Sequence, residues 1–194
     1  MAELNWENLE KAVRNCRNCP LGAGRIQAVL GRGSRNATVM FVGEGPGRQE
    51  DEQGLPFVGA AGQLLDLALT SLSFDPDDYY IANVVKCRPP MNRTPSPDEA
   101  RACLNFLRAQ FALIKPKIIV CLGAVAHSNL VSSEQSITKA RGVWVQKKDV
   151  WFLSTFHPAA LLRDEQKKMP FWQDLKSVKE KLDKIKNVTV NIEG

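Results

Sequence analysis

The sequence predicts an α/β fold in which a parallel sheet is covered by helices on both faces, a three-layer α/β/α sandwich. Short apolar runs recur along the chain: TVMFVG at 38–43, YYIANVVK at 79–86, KIIVCLG at 117–123 and VWFLSTF at 150–156. Stretches with helical spacing separate them, at 59–72, 97–114 and 124–131. Continuous apolar runs belong to strands buried on both sides, and such strands need helices over each face.

Each element has its own local reason. Residues 5–15 read as an amphipathic polar helix. The helix over 97–114 has the clearest start: Ser96 caps, Pro97 takes the first helical position and Glu99 completes a capping box. GVWVQ and VWFLSTF, joined across KKD, predict a hairpin over 142–156, and a last helix spans about 170–186. With no internal repeat, low-complexity tract or linker, 194 residues read as one domain over 1–194. In open sheets of this kind, active residues gather beyond the carboxyl ends of the strands. GEGPG (43–47), the 83–87 segment and FHPAALLR (156–163) all fall there.

A hydrophobic share of 44% with 24% charged residues is ordinary for a soluble globular chain. No apolar stretch approaches the roughly 20 residues that span a bilayer, so no membrane partner is expected. The polar N-terminus does not read as a signal peptide, which makes a cytoplasmic monomer the expectation. A net charge of +5 is compatible with a polyanionic partner without requiring one. Much of the excess lies in KSVKEKLDKIK, which reads as a solvated helix face.

Five cysteines in such a chain argue against a disulfide framework and raise the question of a metal. Cys121 sits mid-strand in KIIVCLG and reads as core. Cys16 and Cys19 form a CxxC, Cys87 follows an apolar run, and Cys103 lies in the capped helix. Four such thiolates permit a structural zinc or an iron–sulfur cluster, while unrelated thiols remain an alternative.

The stretch FVGEGPGRQEDEQGLPFVGAAG (41–62) invites a dinucleotide-loop reading and fails it. Gly43, Gly45 and Gly47 are spaced G-x-G-x-G, Pro46 removes a donor, and Glu44 puts a carboxylate where phosphate would sit.

GEGPGRQEDEQGLPFVGAAGQLL, YIANVVKCRPPMNRTPSPDEA and FHPAALLR, in this order with a CxxC upstream, closely resemble the family 4 uracil-DNA glycosylases. The resemblance runs from about Cys16 to Arg163. It implies an α/β/α sandwich with a four-stranded parallel sheet and a structural [4Fe–4S] cluster integral to the domain. Cys16, Cys19, Cys87 and Cys103 match the cluster ligands. The implied partner is uracil-containing DNA, single- or double-stranded, and the implied reaction is hydrolysis of the N-glycosidic bond.

That reaction needs a flipped base, a stacking platform, a reader of the pyrimidine edge, a donor for charge on the leaving base, and control of water. By resemblance, Phe57 is the platform. Asn83 reads the edge, accepting from uracil N3–H and donating to O4. His157 donates to O2, where charge accumulates. Glu44 is the candidate for water and for the cationic sugar, and Glu50 for the pyrimidine C5 edge, where it would help exclude thymine. Gly45 and Gly47 let backbone approach the base. Leu161, Leu162 and Arg163 would enter the duplex, with Arg88 and Arg93 as further phosphate contacts. His127 reads as structural. Two relatives of this chemistry stay open: a glycosylase shifted to hypoxanthine or xanthine, and a protein that captures uracil-DNA covalently.

Overall fold

The computed structural model describes residues 3–190. At its centre is one six-stranded sheet. Strands β1 (Arg32–Gly33), β2 (Val39–Gly43), β3 (Tyr79–Asn83), β4 (Ile118–Leu122), β5 (Trp144–Lys147) and β6 (Val150–Thr155) stand in the order β1-β3-β2-β4-β6-β5. Neighbours β2–β3, β2–β4 and β4–β6 run parallel. At the two edges, β1 and β5 pair antiparallel. The sheet is thus mixed and six-stranded, which corrects the expectation of a four-stranded parallel sheet. β5 is the first arm of the hairpin expected over 142–156, and it extends the sheet beyond β6. β1 has only two residues, too few for any period; it pairs Arg32 with Ile81 and Gly33 with Tyr80.

Helices α1 (Trp6–Asn15), α2 (Leu21–Gly24), α3 (Arg48–Gln53), α4 (Ala60–Ser71), α5 (Pro97–Ile114), α6 (Ala124–Leu130), α7 (Ile137–Ala140), α8 (Pro158–Leu161) and α9 (Lys168–Val190) surround the sheet. Every residue of β2 and β4 is buried, as continuous apolar runs require. The two-residue alternation still sorts them. Val39 and Phe41 meet Leu65 and Leu69 of α4 and Leu175, Val178 and Leu182 of α9. Met40 and Val42 join the opposite cluster, with Leu107 of α5 and Ala126 of α6. Those are the two outer layers. Among the described residues, no helix is long and apolar enough to cross a membrane.

The capping box of α5 forms as read: Ser96 Oγ accepts from the Glu99 N–H, and the Glu99 carboxylate accepts from the Ser96 N–H. Arg93 adds two more donors to that carboxylate, at 2.8 and 2.7 Å, and holds its carboxyl down at about 2. This commits Arg93 to the start of α5.

The end of β6 is anchored across the sheet. Asp174 of α9 is 4% exposed and receives Arg141 Nε at 3.0 Å, Arg141 Nη2 at 2.5 Å and the Thr155 hydroxyl at 2.6 Å. Removing one partner from such a buried group strands the others, a loss of about 3–5 kcal/mol. Asp174→Ala is therefore expected to lower unfolding stability by about 3 kcal/mol, read from the urea midpoint at unchanged slope.

Candidate functional site

The carboxyl ends of β2, β3 and β6 lie at the same end of the sheet, where a cleft of about 580 Å³ opens. Glu44, Gly45, Gly47, Glu50, Phe57, Asn83, His157 and Arg163 all line it. Residues distant in sequence thus meet because three parallel strands end together.

Asn83, the last residue of β3, is 2% exposed, and its Oδ1 has no hydrogen-bond partner. A buried orphan acceptor costs about 1–3 kcal/mol, so it marks a place shaped for a donor from outside. Gly43 lies beside Asn83 in the parallel register. A Cβ on Gly43 would stand 2.5 Å from Asn83 Oδ1 and 2.5 Å from Phe57 Cζ. Only a missing side chain leaves room for both.

His157 caps α8: its Nδ1 accepts from the Ala159 N–H at 3.1 Å. An accepting Nδ1 leaves the proton of the neutral ring on Nε2. Burial, aided by the Arg163 charge, pulls the imidazole down to about 4, so the ring is neutral at physiological pH. Its face stacks on Phe57, centroids 5.6 Å apart and planes 28° apart. Gly123, with φ of +93°, lies against it; a Cβ there would come 2.9 Å from His157 Cβ.

Phe57 is 6% exposed with φ of +55°, a strained setting for an aromatic residue. The surroundings hold it there. Glu50 Oε1 accepts from the Val58 and Gly59 N–H groups at 3.0 and 2.9 Å, and Oε2 from the Gly47 N–H at 3.1 Å. Arg32 donates to the Pro56 carbonyl at 3.0 Å and pairs with Asp66 of α4 at 2.6 Å. Glu50 was expected at the cleft as an edge reader. It lines the cleft, but its oxygens are already committed to clipping the 47 turn to the 57–59 loop.

The carboxyl of Glu44 is raised above the usual range by burial, against a lowering hydrogen bond from Thr94. Thr94 also lines the cleft and was missed; a lone threonine before a proline carries no sequence signal. The segment RQEDEQ, read as loop, forms α3 because Gly47 and Glu50 make its N-terminal cap.

FHPAALLR divides. Leu161 is 3% exposed and packs in the core, whereas Leu162 is 52% exposed. Of the two leucines expected at the DNA, Leu161 is turned inward by helix α8 against the cluster that includes α4 and α9 residues. Arg88 donates to Asn92 Oδ1 at 2.8 Å and is exposed. His127 is buried with Nδ1 2.7 Å from the Ser154 hydroxyl, and Cys121 is fully buried in β4, as a core reading of each requires.

Cys16, Cys19, Cys87 and Cys103 line a second, small pocket closed by Val13 and Phe106. Donors already face the sulfurs: the Lys86 N–H at 3.2 Å from Cys103, Arg25 Nη1 at 2.9 Å from Cys87, and the Asn18 N–H at 3.5 Å from Cys16. Burial pushes the Cys103 thiol up to about 11, against the pull of Lys86, and raises Cys87 against Arg25. Among the described residues, no three His, Cys, Asp or Glu side chains converge on a point as around a single ion.

Comparison with known proteins places this geometry in a family. Residues 30–176 match the model of the uracil DNA glycosylase superfamily. The chain is 47% identical over 167 residues to the type-4 uracil-DNA glycosylase of Thermotoga maritima, covering 84% of this chain and 86% of that protein. It is 41% identical over 180 residues to the type-4 enzyme of Pyrobaculum aerophilum, covering 89% and 92%. With that of Sulfurisphaera tokodaii it shares 43% over 183 residues, covering 90% and 83%.

Gly43→Ala tests the close approach at the strand end. It is expected to cost about 1–3 kcal/mol of stability and to shift the Asn83 side-chain amide signals in a ¹H–¹⁵N spectrum, with the rest of the spectrum retained.

Proposed function

The chain belongs to the uracil DNA glycosylase superfamily and is an enzyme of uracil excision in DNA repair, and we propose that the cleft beside Asn83 is where it takes a flipped uracil and hydrolyses its N-glycosidic bond. The observation that carries this reading is the unpartnered Oδ1 of Asn83 in a cleft that also holds a neutral His157. Uracil presents N3–H to such an acceptor; cytosine has no hydrogen there. A site built for that hydrogen rejects the wrong edge because its buried group would stay unpaired.

In the reaction, the C1′–N1 bond breaks and its electron pair leaves with the base. Negative charge spreads onto uracil O2, and C1′ becomes oxocarbenium-like. His157 Nε2–H donates to O2; being neutral, it stabilises charge there without a proton to lose on binding. One preorganised donor of this kind is worth about 10²–10³ in rate. Glu44, ionised, faces the cationic sugar and takes the proton of the water that adds to C1′. Phe57 supplies an aromatic floor to the cleft, worth about 1–3 kcal/mol when a base stacks on such a ring. Glu50 acts through the loop it holds, and Gly45 and Gly47 leave backbone next to the base. Leu162, which is exposed, would be the wedge for the gap in the stack, and Arg163, which lines the cleft, would meet a phosphate.

The four thiols of Cys16, Cys19, Cys87 and Cys103 supply the donor set that a [4Fe–4S] cluster takes. A single zinc gathers its sulfurs at about 2.3 Å from one point; here the sulfurs surround a pocket with N–H donors already directed at three of them. Bound there, a cluster would tie the CxxC segment to the 87–103 region and serve structure. The enzyme would act as a cytoplasmic monomer.

Uracil release from uracil-containing oligonucleotides tests the reading. Asn83→Ala and His157→Ala are each expected to lose at least about a hundredfold in kcat, with melting temperature retained; activity within a few fold of wild type would exclude the assignment. A panel of hypoxanthine and xanthine substrates, and a denaturing gel for a covalent adduct, check the two neighbouring chemistries.

Glu44 gives a pH signature. Its carboxyl is raised by burial, so the active carboxylate is lost as pH falls through a value above the ordinary carboxylate range. The acidic limb of kcat/KM is expected there and to disappear in Glu44→Gln, at a lower plateau.

A further inference from the structure

Between the cleft and the cysteine pocket runs a five-residue segment, Asn83 to Cys87. Lys86 lies within it and is 1% exposed. Its Nζ donates to the backbone carbonyl of Asn83 at 2.9 Å and to Gln110 Oε1 at 2.6 Å. Gln110 is itself fully buried and fixed by its own donations, to the Leu30 carbonyl at 3.0 Å and the Tyr80 hydroxyl at 3.3 Å. The ammonium therefore holds the end of β3 to a rigid point on α5.

Both of those acceptors are neutral, and among the described residues no carboxylate pairs with Nζ. Burying an unbalanced ion costs several kcal/mol, and an apolar side chain of similar volume would pack as well. The same residue also reaches the cysteine pocket, because it directly precedes Cys87 in the chain. The backbone N–H of Lys86 also donates to Cys103 Sγ.

We propose that Lys86 is a positioning residue that couples the cysteine pocket to the base-reading strand end. Its Nζ fixes the Asn83 carbonyl and so sets the angle of the amide in the cleft, while its backbone N–H holds Cys103 Sγ at the pocket. The proposal rests on the reading of Asn83 as base reader and of the four cysteines as cluster ligands.

The test uses full-length protein purified with its iron, comparing wild type with Lys86→Met. Groups behind metal ligands typically change metal affinity or activity by about ten- to hundredfold. Lys86→Met is expected to carry less iron per chain and weaker absorbance near 400 nm. The cluster that remains should show a lower reduction potential, because a neighbouring cation is gone. Per loaded molecule, kcat for uracil release should fall about tenfold or more, with KM nearly unchanged. Wild-type iron content, potential and kcat in Lys86→Met would overturn the proposal, as would a lower melting temperature alone. If Lys86→Met does not fold, Gln110→Glu decides. Its carboxylate gives Nζ a rival partner and adds negative charge, so potential and kcat should both fall, and unchanged values would again overturn it. A wild-type protein that releases no uracil would sink the reading of the cleft, whereas an active wild type matched by Lys86→Met sinks only the coupling.

Discussion

The site depends on one register: in the parallel pairing of β2 with β3, Gly43 lies beside Asn83. Pairing continues past the strands, with the Val84 N–H on the Gly43 carbonyl at 2.9 Å and the Val85 N–H on the Glu44 carbonyl at 3.1 Å. Those two bonds fix Glu44 relative to the segment after Asn83. A slip of one residue would send Asn83 to the opposite face of the sheet and leave the cleft without its acceptor. The pairing is secured well away from the cleft, by core residues on both faces, so the polar groups at its end need contribute nothing to holding it.

Burial then sets the charge states that the chemistry calls for. The same low-dielectric surroundings raise Glu44 and lower His157, moving both towards neutrality. The consequences differ. His157 is well below physiological pH and stays a neutral donor, its tautomer chosen by the Ala159 N–H. Folding must therefore keep a neutral imidazole where an unfolded chain would bind a proton. That contribution to stability is lost as pH falls below the ordinary histidine value and levels off near 4. Glu44 is raised by burial against the hydrogen bond from Thr94. One environment thus acts on both groups of the cleft, in opposite directions.

Much of this was legible in the sequence, for a physical reason. Buried parallel strands and a capped helix are local patterns, and α5 begins at the Ser96–Glu99 box that its sequence announces. Glu44 follows β2, Asn83 ends β3 and His157 comes two residues after β6, so a strand map and a family motif place them together. What escaped was short or long-range. β1 has two residues and no period; Thr94 reaches Glu44 only in three dimensions; Gly123 is read as a strand-end glycine until His157 is seen against it. Glu50 was visible as an acid at the cleft, but its three backbone donors lie on two separate loops. Leu161 and Leu162 are adjacent in sequence, and only the turn of α8 separates core from surface.

The strain at Phe57 shows how such a cleft is kept in shape before any substrate arrives. A positive φ at an aromatic residue persists only if its neighbours over-determine it. Here Glu50 holds the amides after it, Arg32 holds the carbonyl before it, and Gly62 of α4 leaves room below: a Cβ there would stand 1.9 Å from the Phe57 carbonyl oxygen. Arg32 belongs to β1 and is itself tied to Asp66 of α4. The antiparallel edge strand that the sequence concealed thus has a use: it carries the arginine that locks the aromatic floor. Asn83, fixed from behind by Lys86, and Phe57, fixed from below by Gly62 and Arg32, reach their positions through independent sets of contacts. The floor and the reader of the cleft are therefore both rigid in advance, so binding energy from a flipped base need not be spent on ordering them.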